Sequence, residues 1–306
     1  MKSRKSRNTA KPTITPVGRF APSPTGPLHL GSLICALASY LDIHSQGGRW
    51  LLRMEDLDPP REPAGAAEQI LDSLSAHGLD WDGEVLWQSR RHSAYADAIA
   101  DLLQRELAFR CDCSRAQLVA EGNVYRGHCR TRQLPGDVSA AIRVITTSNS
   151  HIEVADRLQP ALQQHLQVST GDFIVKRKDG LFAYQLAVVL DDAYQGVNQV
   201  VRGYDLFDST PRQIYLQRLL QLPTPSYAHI PVVTNASGQK LSKQTRAPGL
   251  VASAAMENLK LALRFLGQPA PSPECHDPQS LLREAVHNWQ LQRVPACPGI
   301  PESELY

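Results

Sequence analysis

Two stretches far apart in the chain carry side chains suited to gripping an anion. The first, Ala21-Pro-Ser-Pro-Thr-Gly-Pro27 followed by Leu28-His29-Leu30-Gly31-Ser32, places a tight proline-glycine loop and a histidine at the start of an apolar run. A helix opening there would aim its free N–H groups at a bound phosphate or carboxylate, and Gly31 would leave room for a flat ligand. The second, Gly238-Gln-Lys240-Leu-Ser-Lys243-Gln244, holds two lysines three residues apart in a polar loop. An ammonium on such a loop can meet a phosphate and withdraw afterwards. Neither string is specific alone, since proline-rich connectors and solvated lysine turns are common. A third group, Cys111, Cys113 and Cys129, crowds three thiols into 19 residues. Zinc in a structural site takes four soft or borderline donors, so three thiolates need one more, and the neighbouring His128 offers an imidazole.

The elements that must position these groups alternate in type. Strands are expected at 17–20, 49–54, 198–202 and 229–233. Helices are expected at 30–43, 66–77 and 93–107, from Gln185, and from Ser209-Thr-Pro211, with Ser209 as the N-cap. Asp179-Gly180 between 173–178 and 181–184 signals a hairpin. Strand–helix alternation predicts an α/β fold around a mostly parallel sheet, interrupted by an insertion near 105–175.

Composition narrows the rest. The 306 residues are 42% hydrophobic and 20% charged, which excludes wholesale disorder, and six cysteines in so long a chain do not make a disulfide scaffold. The net charge is +2, but residues 1–13 hold five basic groups and no acid, leaving 27 basic against 30 acidic residues elsewhere. No apolar segment follows that basic start, so residues 1–15 are expected to be a disordered tail rather than a signal peptide. No apolar run approaches the ~18 residues that would span a bilayer, and a soluble cytoplasmic protein is expected.

Taken together and in order, the two loops resemble the ATP-binding motifs of class I aminoacyl-tRNA synthetases: His29-Leu-Gly31-Ser32 stands for the first and Lys240-Leu-Ser-Lys243-Gln244 for the second. Gly18-Arg-Phe-Ala-Pro-Ser-Pro-Thr-Gly26, Leu52-Arg-Met-Glu-Asp-Leu-Asp58, Leu79-Asp-Trp-Asp82 and Val201-Arg-Gly-Tyr-Asp-Leu206 are similar to glutamyl-tRNA synthetases in particular. Only 63 residues follow Lys243, short of an ordinary second domain. With the run from Asp179 to Asp192, this resembles the truncated paralogues of that family, which glutamylate queuosine in tRNA(Asp).

The resemblance implies a Rossmann-like catalytic domain at 16–108 and 179–245, a zinc-containing α+β insertion at 109–178, and a short helical region at 246–306 without an anticodon-binding domain. It implies activation of L-glutamate by ATP without tRNA, and transfer to the queuosine of tRNA(Asp). Arg19 and Arg202 would clamp carboxylate, Glu55 would receive the ammonium and Tyr184 would supply a hydroxyl, with Phe20, Ala21, Pro22 and Ser23 lining the amino-acid pocket. Thr25, His29, Gly31, Lys240 and Lys243 would hold ATP, with Thr25, His29 and Lys243 acting in catalysis and Lys243 stabilising the departing pyrophosphate. Ser32 departs from the general pattern and takes no catalytic role. Mg²⁺ is expected with the nucleotide, although Asp191, Asp192, Asp205 and Asp208 could as easily cap helices. The family pattern aligns Tyr125, in Tyr125-Arg-Gly-His-Cys129, as the fourth zinc donor, with His128 as the alternative. Arg126, Arg130, Arg132, Lys176, Arg177 and Lys178 are candidates for RNA phosphates. Competing readings are a truncated enzyme charging the 3′ end of tRNA(Glu), a non-catalytic zinc-containing RNA-binding module, and a small-molecule nucleotidyltransferase.

Overall fold

The computed structural model describes residues 15–304 except 121, 123, 236 and 242–247; the basic stretch 1–14 and Lys243 lie outside the described residues. A parallel sheet opens the fold, with β1 (Val17–Phe20) beside β2 (Arg49–Met54) and β2 beside the short β3 (Leu86–Trp87). α1 (Leu30–His44) is the crossover between β1 and β2, and its buried Leu33, Ile34, Leu37, Ala38 and Leu41 recur at helical spacing against the sheet. Gly18 is needed for that packing, because a Cβ there would lie 2.3 Å from the side chain of Ile43. α2 (Ala66–Ala76) and α3 (His92–Gln104) follow.

The second half repeats the theme. β9 (Gln199–Gly203) pairs in parallel with β10 (Ser226–Ile230), flanked by α6 (Tyr184–Tyr194) and α7 (Thr210–Leu220). Asn198 joins the halves: its N–H donates to the Val17 carbonyl at 3.0 Å and its Oδ1 accepts from the Val17 N–H at 2.9 Å. Between the halves lies the insertion. It holds the antiparallel sheet β4 (Ala108–Cys111), β5 (Ala141–Val144) and β8 (Phe173–Lys176), the hairpin β6 (His151–Val154) and β7 (Leu162–His165), and the short helices α4 (Arg115–Ala120) and α5 (Leu166–Ser169). After the lysine loop come α8 (Ala255–Phe265) and α9 (Pro278–Asn288). The chain then returns as β12 (Gly299–Pro301), parallel to β11 (Val232–Thr234).

Three expectations change in detail. The stretch after Asp179-Gly180 makes only the bridge Lys176↔Phe182 before Tyr184 opens α6, so the hairpin has one full arm. The strand expected at 229–233 is two, β10 and β11, broken at Pro231, which has no N–H for a ladder. Ser209 makes no side-chain cap; its hydroxyl instead accepts from Gln185 Nε2 at 3.1 Å and Arg212 Nη2 at 3.2 Å. Among the described residues no helix is long and apolar enough to cross a membrane.

Asp42 on α1 ties three parts of the chain. It receives Arg157 through two N–H bonds at 2.7 and 2.9 Å and the Trp289 indole N–H at 3.3 Å, so the parallel-sheet core, the segment after β6 and the C-terminal region meet on one buried carboxylate. Removing one partner of such a pair leaves the other unsatisfied. Asp42→Ala is therefore expected to lower the unfolding free energy by about 2–3 kcal/mol, read as a shifted urea midpoint. A loss below ~0.5 kcal/mol, the level of ordinary surface changes, would show that this junction does not hold the parts together.

Candidate active site

A cavity of about 670 Å³ opens at the carboxyl ends of β1, β2 and β9, where doubly wound sheets bind their ligands. Arg19, Phe20, Ala21, Pro22, Ser23, Thr25, His29, Gly31, Glu55, Tyr184, Arg202 and Lys240 all line it, which is every candidate for glutamate and ATP except Lys243. They arrive from separate elements. Arg19 and Arg202 stand on β1 and β9, Glu55 follows β2 and is held by its N–H to the Pro22 carbonyl at 2.9 Å, and Tyr184 is the first residue of α6.

The two arginines are buried but differently partnered. Arg19 Nε donates to Asp192 at 3.1 Å, and the same Asp192 oxygen accepts from Arg53 Nη2 at 2.8 Å. Burial works against an ionised Asp192, but Arg19 and Arg53 outweigh it and hold the carboxyl below its ordinary range. Glu55 lies 3.7 Å from Arg53, and its buried Oε1 has no hydrogen-bond partner in the structure. Burial pushes its carboxyl up to about 7 against the pull of Arg53 and Arg19. Glu55 also lines the cavity, where a carboxylate with spare hydrogen-bonding capacity suits an incoming ammonium.

Arg202 meets neutral groups. Its Nε donates to His229 Nε2 at 3.0 Å and its Nη2 to Thr210 Oγ1 at 2.8 Å, and its Nη1 lies 3.4 Å from the Tyr184 hydroxyl. Among the described residues no carboxylate reaches it within ion-pair distance. A positive charge on a cavity wall with neutral partners is ready for an anion.

His29 is the N-cap of α1: its Nδ1 accepts from the Ser32 N–H at 3.3 Å, while the Ser32 hydroxyl lies 3.1 Å from Nε2. Ser32 thus orients the ring. Gly31 has a local reason as well, since a Cβ there would press on the imidazole at 3.1 Å. No acidic side chain sits in the first turn of α1, which keeps its N-terminus attractive to anions. The lysine loop is anchored on both sides of 242–247: the Leu241 N–H reaches the Val233 carbonyl, while Gly249 bridges His29 and the Leu250 N–H reaches the Leu28 carbonyl. Lys240 pairs with Asp205 on the cavity wall.

Of the acidic candidates, Asp191 and Asp192 face inward within α6 rather than capping it. Asp191 accepts from Gln88, Arg91 and Tyr95. From sequence alone Arg53 and His229 carry no assigned role, and Asp192 is only one of four carboxylates that could accompany Mg²⁺ or cap helices. Arg53 sits inside the quoted Leu52–Asp58 motif and carried the clearest signal of the three.

In the insertion the Sγ atoms of Cys111, Cys113 and Cys129 lie within 4.8 Å of one another. The Tyr125 hydroxyl is 3.6 Å from Cys111 Sγ and accepts from the Cys129 N–H at 3.0 Å, whereas His128 Nε2 is 3.0 Å from Cys113 Sγ. Arg143 Nε at 3.3 Å from Cys111 Sγ and Arg132 Nη1 at 3.5 Å from Cys129 Sγ would offset thiolate charge. A donor set of three soft sulfurs within mutual reach fits a structural zinc ion. The basic candidates around it are largely engaged within the chain: Arg130 with Asp172, Arg132 with Asp112, and Arg177 with Asp58 and Asp179.

Residues 17–259 match the family model of the class I (E and Q) tRNA synthetase catalytic domain. The chain is 52% identical over 290 residues to the glutamyl-Q tRNA(Asp) synthetase of Ectopseudomonas mendocina, covering 94% of this chain and 98% of that one. It is 54% identical over 291 residues to the glutamyl-Q tRNA(Asp) synthetase of Thiobacillus denitrificans, covering 93% and 96%. Its fold superposes on the glutamate–tRNA synthetase of Elizabethkingia anophelis with a TM-score of 0.79 at 23% identity, over 95% of this chain and 69% of that one. The chain belongs to the class I tRNA synthetases of the E and Q type and, within them, to the glutamyl-Q tRNA(Asp) synthetase family.

Proposed function

We propose that the chain activates L-glutamate with ATP, without tRNA, and transfers the glutamyl group to the queuosine of tRNA(Asp). The observation that carries this reading is the convergence of Arg19, Glu55, Tyr184 and Arg202 on the cavity that also receives Thr25, His29 and Lys240. Family membership supplies the nucleic-acid half of the reaction.

The reaction needs no nucleophile from the enzyme, because the α-carboxylate of glutamate itself attacks the α-phosphorus and pyrophosphate leaves. Positioning and charge neutralisation then account for the rate. Arg202 pairs with one carboxylate of the substrate, Arg19 attracts the other, and Glu55 takes the ammonium. Tyr184 adds a hydroxyl, and Phe20, Ala21, Pro22 and Ser23 form the wall. Thr25, His29, Gly31 and the N-terminus of α1 face the phosphates with Lys240, and Mg²⁺ accompanies the nucleotide. Lys243, outside the described residues, would by the family pattern stabilise the departing pyrophosphate. Cys111, Cys113 and Cys129 with the Tyr125 oxygen would hold a zinc ion, which supplies a cross-link for the insertion. Tyr125, which touches both Cys111 and the Cys129 backbone, is taken as the fourth donor, with His128, 3.0 Å from Cys113 Sγ, as the alternative.

Incubation with labelled glutamate, ATP and purified tRNA tests the reading. Label is expected in the anticodon stem-loop of queuosine-bearing tRNA(Asp), and glutamate-dependent ATP–pyrophosphate exchange is expected without tRNA. Label at the 3′ end of tRNA(Glu) would mean a truncated charging enzyme instead. Lys243→Ala should slow the exchange by about 10²–10³-fold. The raised Glu55 pKa fixes a pH dependence: the ionised fraction falls as pH drops through about 7, so the KM for glutamate should rise about tenfold from pH 8 to pH 6 while that for ATP stays level. Glu55→Gln should abolish the slope, and a flat wild-type profile would remove Glu55 from ammonium binding. Cys111→Ser should lose bound zinc by metal analysis, and full zinc content would discard the site.

A further inference from the structure

Arg202 does not hold its own position. The β9–β10 register places His229 directly beside it, so both side chains leave the sheet on one face. An arginine Nε can only donate, so His229 Nε2 must accept the 3.0 Å bond. The ring proton therefore sits on Nδ1, which donates to Asp156 Oδ2 at 2.6 Å. Both side chains of that pair are fully buried. Asp156 is itself fixed, since its Oδ1 accepts the backbone N–H groups of Leu158 and Gln159 at 2.9 Å each and of His229 at 3.2 Å. It belongs to the segment after β6, joined to β10 by the bridge Asp156↔Tyr227. Thr210 completes the arrangement: its Oγ1 accepts from Arg202 Nη2 and lies 3.1 Å from His229 Nε2 and 3.3 Å from the Leu206 carbonyl.

We infer that His229, held in its Nδ1–H tautomer by Asp156, is a positioning residue that fixes the Arg202 guanidinium while leaving its positive charge to the carboxylate of the substrate. A carboxylate in that place would orient Arg202 equally well but would neutralise it. A neutral imidazole accepts the Nε–H bond and adds no negative charge. Burial, reinforced by the nearby Arg202 charge and opposed by Asp156, holds His229 down to about 4, so the ring stays neutral at assay pH. Phe207 and Tyr227 pack around it, with ring centroids 4.9 and 6.0 Å away. The insertion thereby contributes to a pocket that none of its residues lines, through a relay of two side chains. This rests on the proposed role of Arg202 in binding glutamate.

Two measurements test it. In the unaltered protein labelled with ¹⁵N-histidine, the ring resonance absent from the spectrum of His229→Phe should show a proton on Nδ1 and a bare Nε2 at pH 7; a proton on Nε2 would overturn the inference, because such a ring cannot accept from Arg202. In glutamate-dependent ATP–pyrophosphate exchange, His229→Phe should raise the KM for glutamate about 10–100-fold, the effect of a lost charge-assisted hydrogen bond, while the KM for ATP stays within about twofold. His229→Gln, whose amide oxygen can accept from Nε, should recover most of the loss. A folded His229→Phe protein with an unchanged glutamate KM, or with both constants raised alike, would contradict the inference. Absence of glutamate-dependent exchange in the unaltered protein would count against the proposed function instead, and the tautomer would still be read directly.

Discussion

Two guanidinium groups buried on the wall of one cavity set the terms for the rest of the molecule. A buried charge costs several kcal/mol unless hydrogen bonds and opposite charge offset it, and the chain meets that cost in two ways. Arg19 shares Asp192 with Arg53, so a compact cluster of Arg19, Arg53, Asp192 and Glu55 nearly balances within the protein. Arg202 is satisfied by the His229 ring, the Thr210 hydroxyl and the neighbouring Tyr184 oxygen, none of them anionic, and keeps its charge. Arg19 thus shares a protein carboxylate with Arg53, while Arg202 has no anionic partner and is primed. An acidic ligand with an ammonium group complements that asymmetry: the carboxylate completes Arg202 and the ammonium completes Glu55.

The fold explains how groups so distant in sequence share a wall. Parallel strands end at a common edge, so residues at the end of β1, just after β2 and on β9 emerge side by side, and Tyr184 reaches the same place because α6 begins there. Lys240 and Leu241 line the same cavity, and Gly249 bridges His29 at its rim. Among the described residues none of the insertion or of the C-terminal region lines the cavity, but both brace it, through the Asp156–His229 pair on one side and the Asp42 junction with Arg157 and Trp289 on the other.

Much of this was legible in the sequence, for a local reason. Helical spacing from Leu33 to Leu41, the apolar run 49–54 and the proline-glycine loop each follow from contacts within about ten residues, and their order carries the resemblance to the family. What stayed hidden was non-local. Nothing near His229 in the chain announces that strand register will set it against Arg202, nor that Asp156, 73 residues earlier, will fix its proton. Ser209 looked like a helix cap, but Gln185 and Arg212 claim its hydroxyl. Gly31 was read as space for a ligand, and the structure adds that it makes space for the His29 ring. The three cysteines could be grouped by spacing, and the structure brings both Tyr125 and His128 against them.

The account stands on Arg202 keeping its charge for a carboxylate, and a crystal structure with glutamate bound tests that most directly. A substrate carboxylate oxygen is expected within about 2.7–3.2 Å of an Arg202 nitrogen, with the ammonium at Glu55 and the Arg202–His229 bond intact. Glutamate seated with its carboxylates on Arg19 alone, and Arg202 turned away or bonded only to protein, would contradict it.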